Sequence, residues 1–257
     1  MSRLALITGA SGGIGLEIAR LLAKDGYRLV LVARSQARLD EAAGELKRLG
    51  APEVETVALD LSEDDATGRL VARLDGTVPD VLVNNAGFGT HGPLFETDAD
   101  ETHRMVTLNV TALTDLTRAF LPGMVARRSG RILNVASTAA FQPGPFMAVY
   151  YASKAYVLSF SEALHDELRG TGVTVTCLAP GPTATGFQVR AGVEGVRVGQ
   201  AARAMPDART VAEAGVRAMH AGRRLVVPGV VNRIGTILAQ LAPRGLAIRF
   251  IRGIQEA

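Results

Sequence analysis

Short aliphatic runs alternate along this chain with longer segments whose apolar residues return every three or four positions. The runs lie at residues 4–8, 28–33, 55–59, 81–84, 131–136, 173–179 and 225–227; the helical-period segments lie near 13–24, 35–49, 63–74, 99–125, 149–168 and 211–221. Runs that are nearly all aliphatic instead of alternating with polar residues suit strands covered on both faces. Parallel strands joined by helices are covered in that way. The expected fold is α/β: a doubly wound, mostly parallel seven-stranded sheet with helices on both faces, in three layers, αβα. Right-handed crossovers put the loop after each strand on one edge of such a sheet, where ligands bind.

The chain has 257 residues, 47% of them hydrophobic, which is enough for a packed core and excludes disorder. One domain over residues 1–257 is expected. Residues 181–209 form an irregular segment suited to a mobile cover over a substrate, and 232–257 form a C-terminal extension. Lys and Arg number 28 against 25 Asp and Glu, a net +3 without a basic block, so no nucleic-acid partner is expected. The single cysteine, Cys177, lies in an apolar run and reads as a buried, inert thiol of a reducing cytoplasm. No run approaches the ~20 apolar residues of a membrane span, and the N-terminus lacks the apolar stretch of a secretory signal. The four histidines have no ligand-like spacing, so no metal site is expected.

The first strand ends in Thr8 Gly9 Ala10 Ser11 Gly12 Gly13 Ile14 Gly15, with a helical segment following at once. Backbone can press against an anionic ligand here only where side chains are missing, and the helix aims free N–H groups at a pyrophosphate. After the second strand, where a ribose-binding acid would select NAD, stand Ala33 and Arg34. A guanidinium there favours the extra phosphate of NADP(H), with Ser35 and Arg38 able to assist. Asp60 and Leu61 follow the third strand, and Asp60 reads equally as an adenine contact or a helix cap. Asn84, Asn85, Ala86 and Gly87 end the fourth in a turn suited to a flat ligand.

Tyr150 and Lys154 are four apart on an expected helix, hence one turn apart on the same face. A phenol ordinarily titrates near 10, too high for proton exchange at neutral pH, and an adjacent ammonium would lower it. Ser137, at the end of the fifth strand, stands where its hydroxyl would donate to the same substrate oxygen. Asn109 is a helix-unfriendly amide between Leu108 and Val110, suited to holding a water on a proton path from Lys154. Tyr151 is read as packing.

In this order and spacing, Thr8 to Gly15, Asp60, Asn84 to Gly87, Asn109, Ser137, Tyr150 with Lys154, and Pro180 with Gly181 resemble the short-chain dehydrogenase/reductase (SDR) family over residues 4–185. The resemblance implies a Rossmann fold, with Tyr150 as general acid/base, Lys154 lowering its pKa and binding the nicotinamide ribose, Ser137 polarising the carbonyl and Asn109 completing the relay. It also implies that Gly9, Ser11, Gly13, Ile14, Gly15, Arg34, Asp60, Leu61, Asn85, Ala86, Gly87, Pro180, Gly181 and Thr183 hold NADP(H). Hydride would pass between nicotinamide and a carbonyl or secondary alcohol carbon. The alternatives are an epimerase or dehydratase without net cofactor turnover, and an idle NADP-binding regulator or scaffold.

Phe88, His91, residues 139–147 and Phe187 flank the expected site. Their apolar character favours a hydrophobic ketone, aldehyde or acyl substrate. The family pairs its fourth-helix segment and its Tyr150 helix across a two-fold axis, so a homodimer or homotetramer is expected. Residues 232–257 carry apolar residues among Arg233, Arg244, Arg249 and Arg252. Closing the core or a subunit interface ranks first for this segment and a membrane-surface role second, with Pro243 breaking its helix.

Overall fold

A computed structural model describes residues 3–183, 186–192 and 206–256. Strands β1 (Leu4–Thr8), β2 (Arg28–Ala33), β3 (Val54–Ala58), β4 (Val81–Asn84), β5 (Gly130–Val135), β6 (Val173–Leu178) and β7 (Leu225–Val226) form one parallel sheet, ordered β3-β2-β1-β4-β5-β6-β7. The chain lays strands outward from β1 to β3, then returns to pair β4 with β1 in the register Ala5↔Val81. The order therefore reverses between β1 and β4, which opens a crevice at their carboxyl ends.

Helices α1 (Gly13–Lys24), α2 (Gln36–Arg48), α3 (Ala66–Arg73), α4 (Ala99–Val106), α5 (Leu113–Ala126), α6 (Ala148–Glu167), α7 (Phe187–Ala191), α8 (Ala208–His220), α9 (Val230–Leu241) and α10 (Arg244–Gln255) surround it. Ile18, Leu22, Leu39, Leu46, Val211 and Met219 bring α1, α2 and α8 onto one face. Leu70, Leu116, Phe120 and Met124 bring α3 and α5 onto the other. With both faces covered, every residue of β1 is buried, which is why the central strands read as largely aliphatic runs, whereas edge strand β3 keeps Glu55 and Thr56 partly exposed. Side-chain caps start several helices: Ser35 accepts from the Arg38 N–H, Asp98 from Glu101 and Asp207 from Thr210.

The structure departs from the sequence expectations in three places. Helix α3 starts at Ala66 rather than near Glu63, because Asp65 adopts a left-handed conformation (φ 53°). The single helix expected over 99–125 is divided: α4 and α5 are joined by a π turn, Thr107–Ala112, that holds Asn109. The C-terminal extension closes the core only in part: of α9 and α10 only Thr236 and Gln255 are buried, with Ile251 packed against the cluster around Tyr150 and Tyr151. The mobile cover expected over 181–209 lies largely outside the described residues.

Candidate active site

The carboxyl ends of β1, β4, β5 and β6 meet at a cavity of about 980 Å³. Gly9, Ser11, Gly12, Gly13 and Ile14 line one side. Gly9 and Gly13 have φ of 66° and 55°, open to residues without Cβ. A Cβ on Gly9 would lie 2.7 Å from Asn85 Nδ2, and one on Gly15 would lie 2.4 Å from the same atom and from the Gly9 carbonyl oxygen. Gly15 thus packs helix against strand beneath the cavity instead of lining it. Asn85 clamps the turn: its Nδ2 donates to the carbonyls of Thr8 (2.9 Å) and Gly9 (3.1 Å), while the N–H groups of Asn85 and Ala86 donate to Thr8 Oγ1. No side chain caps α1, so its first amides remain available to an anion beside the turn. This cradle fits a dinucleotide pyrophosphate.

Along the opposite wall stand Ser137, Tyr150, Lys154, Pro180, Gly181 and Thr183, as the sequence implies. Ser137 starts the 3₁₀ turn Thr138–Phe141, its Oγ accepting from the Ala139 N–H at 3.1 Å. Lys154 is buried; its Nζ donates to the Val135 carbonyl at 2.9 Å and lies 5.9 Å from the centre of the Tyr150 ring. Burial pulls the ammonium down to about 8. Burial also pushes the Tyr150 phenol above its ordinary value, and the Ser137 hydroxyl facing it acts in the opposite direction. In the chain by itself, the group that opposes burial at the phenol is Ser137.

Asn109 lies below the cavity wall. Its Nδ2 donates to the Phe88 carbonyl (2.9 Å) and Ser153 Oγ (3.0 Å), and its Oδ1 accepts from the Phe88 N–H (3.1 Å). Its side chain therefore fixes the loop after β4 against α6. The π turn is the backbone cause, since one extra residue in the turn aims this amide inward. Asn84 likewise faces inward, its Nδ2 donating to Thr117 Oγ1 (3.1 Å) and to Asn134 Oδ1 (2.9 Å), while Asn134 donates to Ser161 Oγ (2.9 Å). Both asparagines are buried, so this ladder fastens β4, β5, α5 and α6 behind the reacting groups.

Arg34, Asp60 and Leu61 stand outside the cavity wall. Asp60 accepts from Ser62 Oγ (2.7 Å) and from Arg104 (2.8 Å), with Arg34 3.9 Å away. Burial would raise its carboxyl, but the Ser62 hydrogen bonds and the two guanidinium groups outweigh that and hold it below the ordinary value. The aspartate thus closes a turn and pairs with arginines. Leu61 is buried in the core under α3. Arg38, one helical turn beyond Arg34, does line the cavity.

Sequence reasoning did not place Arg190 or the residues of α10 at the site, and it read Tyr151 as packing. Arg190 lines the cavity and stacks on Phe88, its guanidinium carbon 4.3 Å from the ring centre. Tyr151, expected as packing, also lines the cavity, and its hydroxyl accepts from Gln255 Nε2 at 3.0 Å. His91 Nε2 donates to the Gln255 main-chain carbonyl at 3.0 Å, so this histidine holds the end of α10. Gln142, Met147 and Phe187 line the pocket, as do Leu246, Phe250 and Ile254 of α10. Nothing local in residues 230–255 announced their place here, because only the tertiary fold returns that segment to the site.

The short chain dehydrogenase family model matches residues 3–193. A very-long-chain 3-oxoacyl-CoA reductase of Bos taurus is 38% identical over 185 residues, covering 70% of this chain but only 59% of that relative. The Rattus norvegicus protein of the same name is 32% identical, over 98% of this chain and 80% of the relative. Among solved structures, a short-chain dehydrogenase from Sphingobium yanoikuyae in complex with NADPH has a TM-score of 0.81 and 32% identity, covering 91% of this chain and 92% of its own. A bulky-bulky ketone specific alcohol dehydrogenase from Comamonas testosteroni has a TM-score of 0.78 and 30% identity, over 93% and 91%. With the family model covering most of its length and its glycine turn, serine, tyrosine and lysine gathered on one cavity, this chain belongs to the short-chain dehydrogenase family.

Proposed function

We propose that the protein is an NADP(H)-dependent oxidoreductase that moves a hydride between nicotinamide and a carbonyl or secondary alcohol carbon, on a hydrophobic, acyl-type substrate. The observation that carries this reading is the convergence of Ser137, Tyr150 and Lys154 on the cavity lined by the glycine turn. NADPH held there would supply the hydride.

Gly9 to Ile14, Asn85 to Gly87, and Pro180 to Thr183 would hold the dinucleotide, with Arg38 and Arg34 supplying positive charge for a 2′-phosphate. In the reducing direction Tyr150, protonated through burial, donates its proton to the substrate oxygen. Ser137 donates to the same oxygen as charge grows on it. Lys154, fixed by the Val135 carbonyl, keeps a cation beside that proton exchange. A scaffold that only bound the dinucleotide would need none of these three side chains.

The apolar far wall, with Met147, Phe187, Leu246, Phe250 and Ile254, supports an acyl chain over a sugar. The name of the two relatives, 3-oxoacyl-CoA reductase, supports a 3-oxoacyl thioester. Tyr156, exposed on α6 and stacked on Phe160, supports the two-fold subunit contact the family resemblance implies. The test follows NADPH consumption with 3-oxoacyl thioesters of rising chain length, simple ketones and aldehydes. Turnover that increases with chain length is expected; no consumption with any carbonyl overturns the reading.

A further inference from the structure

Helices α9 and α10 leave much of their apolar surface in solvent. Val230 is 75% exposed, Leu241 77% and Phe250 70%, with Val231, Ile234, Ile237, Leu238 and Leu246 also exposed. At 3.6 residues per turn, Val230, Ile234, Ile237 and Leu241 fall on one stripe of α9. On the side of that stripe nearer the site, Val231 and Leu238 both face solvent and line the cavity. Leu246 and Phe250 do the same on α10. The exposed apolar surface and the mouth of the substrate cavity are therefore continuous.

The charges around this surface have one sign. Arg233 flanks the α9 stripe and Arg249 the Leu246–Phe250 edge, and Arg244 begins α10. No acidic residue occurs in residues 228–255. The first one, Glu256, pairs with Arg252 at 3.0 Å. A second copy of this chain docked face to face would set these arginines against their own counterparts without an acid to pair them. A surface that is apolar within and negatively charged at its face matches both features. Each helix has twelve residues, and no described helix is long and apolar enough to cross a membrane, so contact would be in the plane of the interface.

We infer that helices α9 and α10 dock the protein on an anionic lipid surface, with the cavity mouth turned toward the acyl region. The binding itself does not depend on the proposed reaction; only the delivery of an acyl substrate through the mouth does. Two double variants test it, Ile234→Glu with Leu241→Glu, and Arg233→Glu with Arg249→Glu, all four residues lying outside the cavity wall.

The full chain is sedimented with vesicles of phosphatidylcholine alone or mixed with phosphatidylglycerol. At least a tenfold preference for the mixed vesicles is expected, lost in high salt and in both variants, while the variants keep wild-type turnover on a soluble short-chain ketone. Should a variant fail to fold, the lipid and salt dependence of the wild-type protein still decides. Absence of sedimentation, or equal sedimentation with neutral vesicles, overturns the inference. So does a fall in solution molar mass for Ile234→Glu with Leu241→Glu, which would make the face a subunit interface. Because sedimentation is read without turnover, its failure is separable from failure of the proposed reaction.

Discussion

Lys154 Nζ donates to the main-chain carbonyl of Val135 at 2.9 Å, joining the reacting face of α6 to the end of β5. Burial holds this ammonium down to about 8, within reach of ordinary assay conditions. The phenol of Tyr150 is displaced upward by burial, so loss of its proton does not limit the reducing direction at the same pH. The rate of carbonyl reduction should therefore be level near neutrality and fall as pH rises through about 8, where the ammonium is lost. In Lys154→Met the rate should be low throughout, without that limb. A pH profile of kcat/KM checks this, and a wild-type rate that stays level well above pH 8 would contradict it.

Gly15 has no room for a methyl group, with Asn85 Nδ2 and the Gly9 carbonyl oxygen both 2.4 Å from where a Cβ would sit. Gly15→Ala must displace the Asn85 clamp or the turn itself. A loss of NADPH affinity of tenfold or more is expected by fluorescence titration, and an unchanged Kd would show that the turn does not hold the dinucleotide.

The positions of the two arginines after β2 lead to a separate expectation. Arg38 lines the cavity, whereas Arg34 leans toward Asp60 at 3.9 Å. Hydrogen bonds to charged groups contribute roughly 1.5–3 kcal/mol, about a 10- to 100-fold change in affinity. Arg38→Ala should weaken NADPH by that order and leave NADH nearly unchanged, with Arg34→Ala having the smaller effect. Equal losses for both dinucleotides would remove the 2′-phosphate role.

Asn134 bridges Asn84 and Ser161 inside the fold. Asn134→Ala removes one hydrogen bond from each neighbour in the interior, Asn84 keeping Thr117 and Ser161 keeping the Val157 carbonyl, at a cost of about 1–3 kcal/mol. At roughly 2–4 °C per kcal/mol for a chain of this size, Tm should fall by about 2–12 °C. Calorimetry that finds no change would mean the ladder adds nothing to stability.

How much was legible in the sequence follows from how local each signal is. The aliphatic strands could be read because both sheet faces are covered, and Tyr150 with Lys154 because helical period alone puts them on one face. Asn109 stood out as a misfit in a helix, but its task could not be read: the π turn that redirects it depends on its bonds to Phe88 and Ser153. Asp60 stayed open between an adenine contact and a helix cap because sequence does not reveal that Arg104 comes to its carboxylate. Gln255 was invisible for the same reason, since its partner Tyr151 is 104 positions away. The burial that pushes the Tyr150 phenol up was not legible either, because it is a property of the assembled fold.

The central claim is that the Tyr150 phenol supplies the proton to the substrate oxygen. Tyr150→Phe keeps the ring and its contact with Phe187, 5.2 Å between centres, and removes only the hydroxyl. Carbonyl reduction by this variant should fall by about 10²- to 10⁴-fold, the usual contribution of a positioned acid, with NADPH binding unchanged. Turnover within a few-fold of the wild-type rate would contradict the account.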